Sequence, residues 1–140
     1  MKKQFRKALF VAVLCILALS LFGCMLFGEP EKTDEEKMVK TFINDFIDEK
    51  YEKIQEIYAF AENCQFDVQE QGAILNGFYE KYGEKSAISQ VLRSEDAAAE
   101  SYYRELLMKK GKVWLNVTLN EEKQIVGFSI TDAGAFEEKK

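Results

Sequence analysis

Apolar residues after position 33 recur at the spacing of one buried helical face. Thr33 and Glu36, three residues apart, form a capping box that predicts where the first helix begins. The segment 48–50 is polar and interrupts the stripe, which predicts either two helices or one bent helix. The stripe comprises Met38, Val39, Phe42, Ile43, Phe46, Ile47, Tyr51, Ile54, Ile57, Tyr58 and Ala61.

A further helix is predicted from Asp67, where Glu70 repeats the capping pattern, to Gly83, which suits a left-handed helix end. Its apolar positions are Ile74, Leu75, Phe78, Tyr79 and Tyr82. Beyond Gly83 the hydrophobic period changes from helical to two, which indicates strands. The segment 95–100 is predicted as a long hairpin loop or one helical turn. The predicted strands are 86–94, 101–109, 112–120 and 124–131.

Helices followed by closely linked strands predict an α+β domain, with N-terminal helices packed on one face of an antiparallel sheet of about four strands. This order resembles the nuclear transport factor two-like (SnoaL-like, cystatin-like) fold, and the resemblance is carried by the turn and aromatic of 48–54 and by the closing strand 123–130. The resemblance implies a curved sheet and a cone-like shape. More narrowly, the chain resembles small extracytoplasmic lipoprotein domains of unknown function. The resemblance covers 34–132 and leaves 133–140 as a polar tail.

The first residues are cationic, and 8–22 are apolar except for Ser20, which is the layout of a secretory signal. Leu21-Phe22-Gly23-Cys24 resembles the lipobox of bacterial lipoproteins. That resemblance implies a signal peptide over 1–23, a lipid on the sulfur of Cys24 and a tether over 24–33. The alternative is an uncleaved membrane helix over 8–28, long enough to span a bilayer. Either interpretation places the domain outside the cytoplasmic membrane, and the first anchors it in the bilayer through Cys24.

Composition narrows the chemistry of the domain. The chain has 140 residues, enough for one domain, and a net charge of −5 that becomes more negative once the basic signal is removed. Nucleic acid is therefore not an expected partner. No histidine is present, which removes the usual proton shuttle and the commonest metal ligand. We see no motif for a metal or a cofactor and expect neither.

Cys64 is the one cysteine outside the N-terminal segment, so the mature domain has no partner for an intramolecular disulfide. Its charged neighbour Glu62 is acidic, and we expect Cys64 to be buried and unreactive. The acidic residues Asp45, Asp48, Glu49 and Glu52 fall in the helical region, and we interpret them as a solvated surface.

Trp114 and Asn116 lie on one face of their predicted strand together with Thr118, opposite an aliphatic row. The fold resemblance implies that strand residues of one face line a pocket that the helices cover, and an aromatic beside a polar pair suits a small amphipathic ligand. Trp114 on an outer face of the sheet, or at a partner interface, is the alternative.

Strand alternation places Arg104 beside Tyr102 and Glu105 beside Tyr103, so one of the two charges is expected to point toward a concave face. An ion pair on an edge strand is the simpler interpretation. The candidate pocket residues are thus Tyr102, Arg104, Glu105, Trp114 and Asn116.

The sequence favours a non-catalytic envelope lipoprotein that binds a small ligand, a peptide or a partner protein. The second hypothesis is a pocket enzyme that uses Glu105 with Tyr102 or Tyr103. A deep cavity around a carboxylate of raised pKa would favour the enzyme, and a filled cone would favour binding.

Overall fold

The computed structural model describes residues 33–94 and 99–137. The proposed signal peptide, Cys24 and most of the tether lie outside the described residues. None of the helices in the described ranges is long and apolar enough to cross a membrane. The three helices are α1 (Asp34–Ile47), α2 (Tyr51–Ile57) and α3 (Val68–Tyr82).

The capping signals act as the sequence predicts. The backbone N–H of Glu36 donates to Oγ1 of Thr33 at 3.2 Å, and the Glu36 carboxylate accepts in return from the Thr33 N–H. At α3, one carboxylate oxygen of Asp67 accepts from the N–H groups of Gln69 and Glu70. These bonds satisfy donors that the first helical turn leaves without partners.

A break separates α1 from α2, so the first apolar stripe forms two helices and not one bent helix. Glu49 adopts a left-handed conformation with a φ of 58°, and the Lys50 N–H then donates back to the Asp45 carbonyl at 2.9 Å. At the end of α3, Gly83 has a φ of 86°, a conformation that favours glycine.

The described strands are β1 (Lys85–Ile88), β2 (Leu92–Arg93), β3 (Glu100–Met108), β4 (Gly111–Leu119) and β5 (Ile125–Ala135). They form one antiparallel sheet in which β3 and β4 are interior strands and β5 is an edge. β1 and β2 both pair with β3, so the predicted first strand exists as two short segments. The last strand continues four residues beyond its predicted end at Thr131, so the start of the expected polar tail is part of the sheet.

The core lies between the helices and one face of this sheet. The predicted aliphatic row of β4 is fully buried there, and Phe42 of α1 contacts the ring of Phe128 of β5 at 5.4 Å between centroids. Two stripe residues, Ile57 and Ile74, are exposed, contrary to the prediction, because they lie beside the buried face of their helices. The α+β class, with helices on a curved antiparallel sheet, is confirmed.

Candidate functional site

The second face of the sheet points away from the helices, and we call it the open face. Its side chains alternate with the buried ones along β3 and β4, because successive residues of a strand point to opposite sides. Register aligns them in three rows across β3, β4 and β5. The rows are Ser101, Thr118 and Gly127; Tyr103, Asn116 and Ser129; and Glu105, Trp114 and Thr131.

Trp114 is the largest side chain on the open face and is 38% exposed. Its indole Nε1–H donates to Oε1 of Glu105 at 3.1 Å, and the same oxygen accepts from Nζ of Lys112 at 3.2 Å. The ring of Tyr103 lies 6.1 Å from that of Trp114, tilted by 56°. Glu105 therefore fixes the orientation of an exposed aromatic surface.

The carboxylate of Glu105 is held in its charged form. The hydrogen bond from Trp114 is the main cause that lowers its pKa, and Lys112 acts in the same direction, while partial burial opposes both. Glu105 is thus an ionised acceptor at neutral pH and a weak base.

Asn116 lies at the centre of the open face. Its amide nitrogen lies within 3.1 Å of Oγ1 of Thr131, and within 3.4 Å of the carbonyl and hydroxyl oxygens of Ser129. With the nitrogen directed toward β5, the amide oxygen remains as an acceptor on the face. In the neighbouring row, the hydroxyl groups of Ser101 and Thr118 are 3.2 Å apart.

A concavity of about 400 Å³ lies among the side chains of β3 and β4. Its size lies toward the lower end of the roughly 300–1,000 Å³ typical of small-molecule sites. The lining residues are Ser94, Ser101, Tyr102, Tyr103, Trp114, Asn116 and Thr118. The site is therefore a shallow polar and aromatic surface in the middle of a sheet.

The structure divides the five candidate pocket residues between two faces. Glu105, Trp114 and Asn116 share the open face, so the alternative that placed Trp114 on an outer face of the sheet is correct and a pocket covered by the helices does not include it. The side chains of Tyr102 and Arg104 are buried on the face that the helices cover. Tyr102 borders the concavity, but its buried side chain lies on the opposite face of the sheet from the Glu105 carboxylate, whereas Tyr103 lies on the same face as Glu105. The expected ion pair is present, between Glu105 and Lys112 at 3.2 Å. Its expected place on an edge strand is wrong, because β3 is an interior strand.

Arg104 is 4% exposed and connects the sheet to α1. Its Nε donates to the carbonyl of Ser89 at 2.8 Å, and its NH1 donates to Oδ1 of Asn44 at 2.7 Å. These bonds give Arg104 a structural position beneath the helix.

Asp45 is a buried acid that the sequence interpretation placed on a solvated surface. It is 3% exposed and accepts hydrogen bonds from Nζ of Lys53 at 3.0 Å and from the Tyr58 hydroxyl at 2.8 Å. Burial acts to raise the pKa of Asp45, but the two hydrogen bonds and the charges of Lys53 and Lys50 together outweigh it and lower the pKa. The signal available in the sequence was its position between Phe42 and Phe46 in the apolar stripe.

Cys64 is half-buried against the core, and burial raises the pKa of its thiol. A raised pKa reduces the thiolate fraction that reacts at neutral pH.

A second concavity, of about 430 Å³, lies near the end of α3 and the C-terminal end of β5. Beside it, Asp132 accepts hydrogen bonds from Nζ of Lys81 and from the Tyr82 hydroxyl, both at 2.7 Å. The bond from Lys81 is the largest cause that lowers the pKa of Asp132 to about 2. Phe136 borders the concavity and is 45% exposed.

Within residues 33–94 and 99–137, no group of histidine, cysteine and acidic side chains is placed to hold a metal ion. No protein-family model, no curated protein and no solved structure matches the chain. Function is therefore inferred from the residues of the site itself.

Proposed function

We propose that this chain is an extracytoplasmic lipoprotein, anchored in the cell membrane through Cys24, whose domain binds a ligand on the open face of its sheet. The observation that carries the binding proposal is the exposed ring of Trp114, held by Glu105 at the border of a concavity. A large aromatic that is both exposed and oriented is typical of a recognition surface.

Two observations favour binding over acid–base catalysis. The face of the sheet toward the helices is filled, since Val113, Leu115 and Val117 are fully buried there. On the open face the pKa of Glu105 is lowered, whereas an efficient general base at neutral pH needs a pKa near the working pH. The enzyme hypothesis based on Glu105 and Tyr103 therefore lacks the raised carboxylate pKa that would support it.

The binding proposal is tested with the intrinsic fluorescence of the full chain purified in detergent. Trp114 is the only tryptophan, so its emission reports directly on the open face. A panel of short peptides, neutral and charged sugars and lipid headgroups is titrated, and we expect at least one class to change the emission saturably. The change should weaken in Asn116→Ala. An emission that no class alters would contradict binding at this face.

The anchor is tested by labelling growing bacterial cells that express the chain with radioactive palmitate. Label is expected in the wild-type chain and in Cys15→Ser and Cys64→Ser, which serve as matched controls. Cys24→Ser should remain an unlabelled, full-length precursor. Label that persists in Cys24→Ser would refute the lipoprotein proposal and leave the binding proposal untouched.

A further inference from the structure

We infer that the open face takes a neutral sugar, with one ring stacked on Trp114 and its hydroxyl groups bonded to the polar side chains of β3 and β4. This inference rests on the proposed binding function and names its ligand class.

The aromatic part of the site suits the flat C–H face of a pyranose ring. The face of an aromatic ring carries the negative lobe of its quadrupole, which attracts weakly positive C–H groups. The Nε1–H of Trp114 is already engaged with Glu105, so the edge of the indole is fixed while the residue stays 38% exposed. The ring of Tyr103 is tilted by 56° relative to that of Trp114, so it borders one side of the surface on which a sugar ring would stack.

The polar part of the site suits hydroxyl groups. Whichever of Ser101 and Thr118 donates in their mutual bond, the other keeps a proton to donate, and both oxygens can accept. Asn116, in the next row, offers its amide oxygen as an acceptor. A sugar hydroxyl both donates and accepts, so it can bond to each of these groups, whereas a purely apolar ligand would leave them unpaired.

Charge favours a neutral ligand. Glu105 and Lys112 are paired at 3.2 Å, so the three described rows of the open face offer no uncompensated cation for a phosphate or a carboxylate. The whole chain is also acidic, with a net charge of −5. Like charge would oppose an anionic sugar or a nucleic acid.

The backbone argues against a peptide as the occupant. An extended peptide usually binds a sheet by adding a strand at an edge, where main-chain groups are free. The site lies on β3 and β4, whose backbones pair with strands on both sides. Recognition at the open face therefore depends on side chains, which is the mode that ring stacking and hydroxyl bonding provide.

Ligand-observed NMR titration of the full chain in detergent tests this inference. The probes are cellotetraose, maltotetraose and chitotetraose as neutral sugars, tetragalacturonate as a charged sugar, and an uncharged tetrapeptide. We expect saturable binding of at least one neutral sugar and weaker binding of the two other probes. Trp114→Ala should lower the affinity for that sugar by at least about tenfold, or ~1.4 kcal/mol. Thr118→Val, which keeps the shape and removes a hydroxyl, should weaken it by a smaller factor.

Phe136→Ala is the matched control, because Phe136 is an aromatic of similar exposure at the other concavity. Phe136→Ala should bind the sugar as the wild type does. All variants should have the unfolding temperature of the wild type, which shows that they are folded. Neutral-sugar binding that survives Trp114→Ala would overturn the inference, as would no binding of any neutral sugar. Peptide binding that depends on Trp114 without sugar binding would overturn the ligand class alone and leave the proposed function standing.

Discussion

The hydroxyl of Tyr58 donates a 2.8 Å hydrogen bond to Oδ2 of Asp45, and so fastens the chain that leaves α2 to the buried side of α1. Asp45 is an acid inside an aromatic cluster, and it is stable there because Lys53 also contacts it. Burial of a charge without such partners would cost far more than the fold can supply.

Tyr58→Phe is expected to destabilise the domain by about 1.5–3 kcal/mol, the usual loss for a hydrogen bond to a charged group. The ring would remain to pack edge-on against Phe42. Urea unfolding measures the change. Tyr103→Phe is the matched control, since among the described residues the ring contact of Tyr103 is the one with Trp114, and its hydroxyl has no hydrogen bond there. Equal midpoints for the two variants would show that the bond to Asp45 contributes nothing.

Substitution by alanine at two glycines should change the stability of the domain in opposite directions. A Cβ at Gly111 would lie 2.6 Å from the ring of Tyr82 and 2.8 Å from the carbonyl oxygen of Gly134. Gly111→Ala should therefore destabilise the domain by about 1–3 kcal/mol through overpacking. At Gly77, within α3, no described atom lies within 4 Å of the position that a Cβ would occupy, so Gly77→Ala should stabilise by roughly 0.5–1 kcal/mol.

Thermal unfolding of the two glycine variants in parallel gives the comparison. A Gly111→Ala protein as stable as the wild type would mean that α3 and the sheet do not approach as closely as described.

Asp132 should make the stability of the domain depend on pH at low pH. Its pKa in the folded chain is about 2, below its ordinary value of 3.8. Its contribution is therefore complete above pH 3.8 and is lost as pH falls toward 2. Wild type should exceed Asp132→Asn in urea midpoint at neutral pH, and this difference should narrow through that window. A difference that stays constant with pH would contradict the lowered pKa.

Cys64 should react slowly with iodoacetamide in the native protein at neutral pH. Partial burial both limits access and raises the pKa of the thiol, so little thiolate is present. In urea the rate should rise to that of an unstructured cysteine. Mass spectrometry at timed intervals follows the reaction in a Cys15→Ser, Cys24→Ser background. Equal rates in the native and unfolded protein would refute burial.

Local signals predicted most of the fold. Thr33, Asp67 and Gly83 mark helix ends because their roles depend on residues within a few positions. The same holds for the alternation that separates Arg104 from Glu105 on β3. Helix burial was less well predicted at Ile57 and Ile74, since an apolar side chain at the border of a stripe packs only if another element reaches it.

The candidate site could not be predicted from short stretches of sequence, because its side chains come together only through strand pairing. Lys112 neutralises Glu105, and Tyr103 packs beside Trp114, only because β3 and β4 pair in one particular register. Asp45 was assigned to the surface because an acid is usually solvated, and its partners Lys53 and Tyr58 lie beyond the helix break. Such pairings are set by tertiary packing, not by local propensity.

Alternation along β3 and β4 separates two tasks that often compete within one protein. Val113, Leu115 and Val117 maintain the core, while Trp114 and Asn116, between them in the chain, face outward. Because the outward side chains lie outside the packed row, substitutions there remove no core contact. If the open face binds as proposed, its side chains can therefore be varied by evolution or by protein engineering on an unchanged core.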